Sequence, residues 1–186
     1  MKEVEINKEM RLSEHFTLGE LCKTSHQTKD GNIPSRVVIE NLRNICENWL
    51  EDLRYSYNTL YQPPVTSSVP IVASSAVERS HEISPLTPLG RDDKPIIINS
   101  GYRSPEVNRL AGGSPTSNHL TGCAVDIRVS DFEQAIRYTS ILLDISDGAN
   151  LDFDELYIER NSAGRYWIHF AVRPKDNRRK MAFLKA

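Results

Sequence analysis

Between Ser35 and Tyr57 the apolar residues Val38, Ile39, Leu42, Ile45, Cys46, Trp49, Leu50 and Leu53 recur at steps of three and four. A helix turns every 3.6 residues, so this spacing gathers them on one stripe and predicts an amphipathic helix with Cys46 and Trp49 in the core. In "FTLGEL", Thr17 and Glu20 stand in capping-box register and predict a short helix. "SDFEQAIRYTSILLD" repeats that signature with Ser130 and Glu133, ahead of apolar positions at helical spacing. "PIIINSGYRSPEVNRLAGG" predicts a strand over Ile96 to Asn99 and a turn at Gly101. A helix follows, capped by Ser104 with Pro105 at its first position, and stops at Gly112-Gly113. "CAVDIRV" predicts a second strand, and "FDELYIERNSAGRYWIHFAV" two more around a turn.

Helices come first and strands dominate the second half, the order of an α+β fold with a small antiparallel sheet packed against several helices. A length of 186 residues suits one domain, 1–186, with a sizeable core. Residues 62–94 are rich in Pro, Ser and Thr and hold no sustained period, so they read as an inserted loop or flap. His81, inside that stretch, reads as an exposed loop histidine.

Composition then narrows the function. A net charge of −2 supplies no basic field for nucleic acid or anionic lipid. Only "RRK" at 178–180 clusters positive charge, and it reads as a solvated tail. No apolar run approaches the ~20 residues that span a bilayer, and "MKEVEINKEMRLSEHF" lacks the apolar core of a secretion signal. The expectation is a chain made in the cytoplasm. Three cysteines, Cys22, Cys46 and Cys123, do not suggest a disulfide framework.

The chemistry is in three residues. Asp126 has no structural reason to interrupt the apolar strand "CAVDIRV", and His119 lies seven residues earlier in a polar turn, in a chain with only five histidines. His169, in the alternating segment "YWIHFAV", would point its imidazole at a sheet face. Two imidazoles and a carboxylate make a zinc ligand set that leaves a fourth position for water. Singly, each reads as well as a hydrogen-bonded core residue or an ion-pair partner. Alternation from Asp126 turns Cys123 to the other face, so it reads as a core thiol ahead of a fourth ligand.

The last hairpin offers a geometric argument. Ser162-Ala163-Gly164 suits a three-residue loop closed by a left-handed glycine, which pairs Tyr157 with His169 and Glu159 with Trp167. Glu159 then becomes a diagonal neighbour of His169 on one face, about 7–8 Å away between α-carbons. There it could take a proton from water at the metal; it reads equally as a solvated strand end.

"SGYRSP…N…AGG…SNHLTGCAVD", with the later "DELYIE…WIHF", resembles the zinc D-Ala-D-Ala carboxypeptidase family. That family includes phage endolysin peptidases and vancomycin-resistance D-Ala-D-Ala dipeptidases, and the hedgehog signalling domain is a structural cousin. The signature Ser-x-His-x-x-Gly-x-Ala-x-Asp falls on Ser117, His119, Gly122, Ala124 and Asp126, and its Trp-x-His partner on Trp167 and His169. "FTLGEL" and the helix ending in "LEDLR" are similar too, so the resemblance spans most of 15–173 apart from 62–94.

The resemblance implies a hedgehog- or D,D-peptidase-like fold, zinc as the cofactor, and His119, Asp126 and His169 as its ligands. It implies Arg103 for the substrate carboxylate or the oxyanion and Ser117 for a hydrogen bond to substrate. In several members the general base lies just upstream of the last ligand. Here Tyr166 occupies the third position before His169, which leaves Glu159 as the candidate. The implied partner is a peptidoglycan stem peptide or a D-amino-acid dipeptide, met at the cell wall or periplasm, with a phage association among the routes there. The rival expectation is a zinc-containing module that binds peptidoglycan without turning it over.

Overall fold

The computed structural model describes residues 7–61 and 94–185. The 62–94 insertion, His81 included, lies outside the described residues except for Lys94.

The helices start where side chains satisfy their free N–H groups. In α1 (Leu18–Leu21), Thr17 and Glu20 form the full capping box. Ser35 caps α2 (Arg36–Ile45), which runs through a π-helical turn (Cys46–Leu50) into α3 (Glu51–Tyr61). The helical run thus extends four residues past Tyr57. Ile45, Cys46, Trp49, Leu50 and Leu53 are all buried along it, as the apolar stripe requires. Ser104 caps α4 (Pro105–Leu110), with Pro105 in the first turn and Gly112 left-handed beyond its end. The cap of α5 (Phe132–Ala149) is Asp131, one residue later than the sequence suggests. Asp131 accepts from the Gln134 N–H at 2.8 Å, while the Gln134 side chain reaches back to the Ser130 N–H at 2.7 Å. Ser130 instead donates its hydroxyl to Asp131 Oδ2 at 2.9 Å.

Among the described residues five strands form one sheet in the order β1-β2-β4-β3-β5: β1 (Ile98–Ser100), β2 (Ala124–Arg128), β3 (Glu155–Arg160), β4 (Tyr166–Ala171) and β5 (Lys180–Lys185). The first four pair antiparallel, and β5 adds to β3 in parallel. The architecture is α+β, as the order of elements implied. β1 starts at Ile98 rather than Ile96, and its register with β2 shifts between Ile98 and Ser100; the Ile97 carbonyl still accepts from Arg128 N–H at 2.8 Å.

Alternation divides the sheet's side chains cleanly. Val125, Ile127, Leu156, Ile158, Ile168 and Phe170 are buried in the core with the helices, and Trp49 meets the Phe170 ring at 4.9 Å between centroids. Asp126, Glu155, Tyr157, Glu159 and His169 occupy the opposite face.

The basic triplet is not a solvated tail. Arg178 grips the fully buried Asp154, with Nε at 2.7 Å and Nη2 at 2.6 Å from its two oxygens. Arg179 donates to Ser146 Oγ at 2.6 Å, pairs with Asp147, and lies over the Phe153 ring. Lys180 opens β5. Among the described residues no helix is long and apolar enough to cross a membrane.

Candidate metal centre

The last hairpin supplies two walls of the site. Gly164 is left-handed (φ 80°) and donates its N–H to the Asn161 carbonyl at 3.0 Å, closing the three-residue loop. Tyr157 consequently faces His169 and Glu159 faces Trp167. β2 lies on the other side of β4 and pairs Asp126 directly with His169.

His119 comes from a different kind of element, a 3-10 turn over Asn118–Thr121. Ser117 Oγ accepts the His119 N–H at 3.3 Å, and Gly122 ends the turn in the left-handed region at φ 69°. A β-carbon on Gly122 would stand 2.7 Å from the Val38 carbonyl oxygen, so signature position 122 needs glycine twice over.

These elements bring the three expected residues together. One donor atom from each of His119, Asp126 and His169 lies within 4.8 Å of the others. Asp126 Oδ1 stands 3.2 Å from His119 Nε2 and 3.0 Å from His169 Nδ1. Tetrahedral zinc with bonds of about 2.0–2.2 Å places neighbouring donor atoms about 3.3 Å apart. The two distances to Asp126 Oδ1 suit that ion.

The hydrogen bonds behind the ligand atoms sharpen the case. His119 Nδ1 lies 2.6 Å from the Gly101 carbonyl oxygen, which can only accept, so Nδ1 carries the hydrogen. His169 Nε2 lies 3.4 Å from Glu155 Oε2, which likewise accepts. In their neutral forms both rings therefore turn a lone pair toward Asp126 Oδ1, itself an acceptor. Three acceptors facing one point repel unless a cation or protons stand between them.

Titration carries the same message. Burial pushes the Asp126 carboxyl up, but His119, His169 and Arg103 together hold it well below the usual carboxylate range. Burial pulls His169 down, yet hydrogen bonds to Asp126 and Glu155 and the charges of Asp126 and Glu159 raise it to about 9. That direction favours a positive charge on His169, between Asp126 and Glu155.

Arg103 is held to this centre. Its Nη2 pairs with Asp126 Oδ2, the oxygen turned away from the histidines, and its Nε donates to Ser100 Oγ at 2.7 Å. Its backbone is pinned as firmly: Asn32 takes the Ser104 N–H at 2.7 Å and donates to the Tyr102 carbonyl at 3.2 Å. Arg103 thus steadies the Asp126 carboxylate in the observed arrangement. Ser117, Glu159 and His169 line one cleft of about 400 Å³, together with Asn118, Glu155 and Tyr157. Burial raises the pKa of the half-buried Glu159, and the Asp126 charge adds to it, against the pull of His169 and Arg103.

Tyr166, three residues before His169, turns to the core face, where it packs on Phe132 and Phe183. An odd offset along a regular strand places it there.

Four residues of the site were not singled out from sequence: Glu155, Asn118, Tyr157 and Arg178. Glu155 had a signal. Its partner is Ala171, two residues beyond His169, just as Glu159 pairs with Trp167 two residues before it. The register that selects one glutamate as a diagonal neighbour of His169 selects the other equally.

An α+β sheet presenting two imidazoles and a carboxylate beside a cleft with a further, high-pKa carboxyl is the arrangement of a metal-dependent hydrolase. Residues 87–145 match the family model of peptidase M15, which supports a link to the M15 zinc peptidases. The matched segment is less than half of the chain; it includes Arg103, Ser117, His119 and Asp126, and stops before Glu159 and His169. No curated protein matches the chain.

Proposed function

We propose that this protein is a zinc peptidase that hydrolyses a peptide bond in peptidoglycan or a related D-amino-acid-containing peptide, in the manner of D-Ala-D-Ala carboxypeptidases. The observation that carries the reading is the convergence of His119, Asp126 and His169 on one point within 4.8 Å. The peptidase M15 match over 87–145 supports the hydrolase class. The motif resemblance supports the substrate.

When bound, zinc supplies Lewis acidity, polarising the scissile carbonyl and making water a stronger acid. The chain's residues supply the rest. Glu159, on the cleft wall beside His169, takes the proton of the attacking water and delivers it to the leaving amine. Its raised pKa suits both halves of that exchange. Ser117 spends its oxygen lone pair on the His119 N–H and keeps its hydroxyl hydrogen for the substrate. Arg103 fixes Asp126 through one edge of its guanidinium and offers the remaining donors to a carboxylate or to the developing oxyanion.

The second reading, a zinc-containing module that binds peptidoglycan without turnover, drew its weight from Tyr166 in place of an upstream carboxylate. With Tyr166 on the core face that weight falls, since Glu159 reaches the cleft from β3. One experiment separates the readings. Zinc-loaded protein is incubated with muropeptides, and product masses are recorded. A new free amine with release of D-alanine, or of a shortened stem peptide, is the expected result. Retention of muropeptide with unchanged masses would establish the binding module instead.

A further inference from the structure

We infer that Glu155 is the outer carboxylate of the metal centre, a positioning residue that turns His169 so that Nδ1 faces the metal, and that Arg178 and Asn118 hold it in place. The inference rests on the reading of His119, Asp126 and His169 as metal ligands.

An imidazole presented by a strand can direct either nitrogen at a metal, and a ring flip exchanges them. Three contacts fix the choice at His169. Tyr157 stacks on the ring, 18° from parallel with centroids 5.8 Å apart. Asp126 Oδ1 stands 3.0 Å from Nδ1, and Glu155 Oε2 accepts from Nε2 in a long hydrogen bond of 3.4 Å. A carboxylate behind a ligating histidine fixes its tautomer and raises its basicity.

Glu155 is itself immobilised. Asn118 Nδ2 donates to Oε2 at 3.0 Å, and Arg178 Nη2 donates to Oε1 at 2.6 Å. Both donors are anchored below by Asp154, which accepts from Asn118 at 2.9 Å and from Arg178 at two nitrogens. Asn118 also precedes His119 in the chain, so one buried aspartate ties together the supports of two ligands. With both oxygens engaged, Glu155 is not available as the proton carrier. Arg178 thereby gains a role in a segment whose charge pattern suggested only a solvated tail.

The test uses the full-length chain, stripped of metal and titrated with zinc alone against a chromophoric chelator. Glu155→Ala should bind zinc about 10–100-fold more weakly than the wild type. Glu155→Gln keeps a carbonyl acceptor for the Nε2 hydrogen and should recover most of that loss. Arg178→Ala should shift affinity in the same direction by less. On zinc-loaded, ¹⁵N-histidine-labelled samples, the His169 Nε2 hydrogen should be visible in wild type and Glu155→Gln and lost to exchange in Glu155→Ala. Unfolding midpoints establish that each variant is folded. A folded Glu155→Ala with wild-type zinc affinity overturns the inference, as does a folded Glu155→Gln no better than Glu155→Ala. A wild type that binds no zinc overturns the metal centre itself, and the inference with it.

Discussion

At the residue scale, His169 lies between two glutamates in opposite circumstances. Glu155 accepts hydrogen bonds from His169, Asn118 and Arg178, and its carboxyl is held down at about 2. Glu159, half-buried and, among the described residues, without such donors apart from the Trp167 indole, is pushed above the ordinary glutamate value. Two like groups driven apart in pKa are suited to different tasks, one to stay ionised and orient, the other to exchange protons. Glu159→Gln should therefore lower kcat by about 10²–10⁴-fold while zinc content stays at the wild-type level. Steady-state kinetics on a muropeptide, paired with metal analysis of the same sample, checks this. Unchanged kcat would remove Glu159 from the mechanism. The place of Glu159 beside His169 could be read from sequence because loop length fixes register and register fixes face. Glu155 was open to the same arithmetic, but its donors Asn118 and Arg178 come from distant chain positions that no local pattern joins to it.

At the scale of elements, the site depends on how a turn, a hairpin and the connection into β5 are tied together. Asp154 is the knot. It is fully buried and meets Arg173, Arg178 and Asn118, and its backbone N–H bonds the Ala171 carbonyl. Burial alone would raise its carboxyl, but these donors bring it to about 2, against 3.8 for a free aspartate. A depressed folded-state value means that the group stabilises the fold above about pH 4 and that this contribution fades as pH falls toward 2. Asp154→Ala should cost about 3 kcal/mol at neutral pH, the lower end for breaking a buried pair, since both arginines stay partly in water. Its stability deficit should shrink as acid denaturation curves are taken from pH 5 to pH 2, and a deficit constant over that range would contradict the assignment. Local patterning made the elements legible: the stripe through Trp49, the Thr17–Glu20 box and the Ser104–Pro105 start all reappear in place. β5 stayed hidden. Its sequence "KMAFLK" follows a charged run, and its parallel pairing with β3 goes with Arg178 docked on Asp154 and Arg179 on the end of α5, contacts between distant chain positions.

At the scale of the whole molecule, the fold brings two stretches of chain, 117–126 and 155–169, to one face of one sheet. β2 and β4 become neighbours only because the chain passes through α5 and returns along β3. That long-range pairing is what the sequence conveyed least through periodicity and most through chemistry: an aspartate inside an apolar strand needs a partner, and a histidine at a sheet face is a suitable one. The proposed chemistry requires a metal held jointly by those stretches. Its most direct test is the zinc content of purified, zinc-supplemented protein, measured by elemental analysis for the wild type and for His119→Ala and His169→Ala. One equivalent in the wild type, with near-complete loss in each variant, is the expected result. A zinc-free wild type, or a folded His169→Ala variant that keeps a full equivalent, would contradict it.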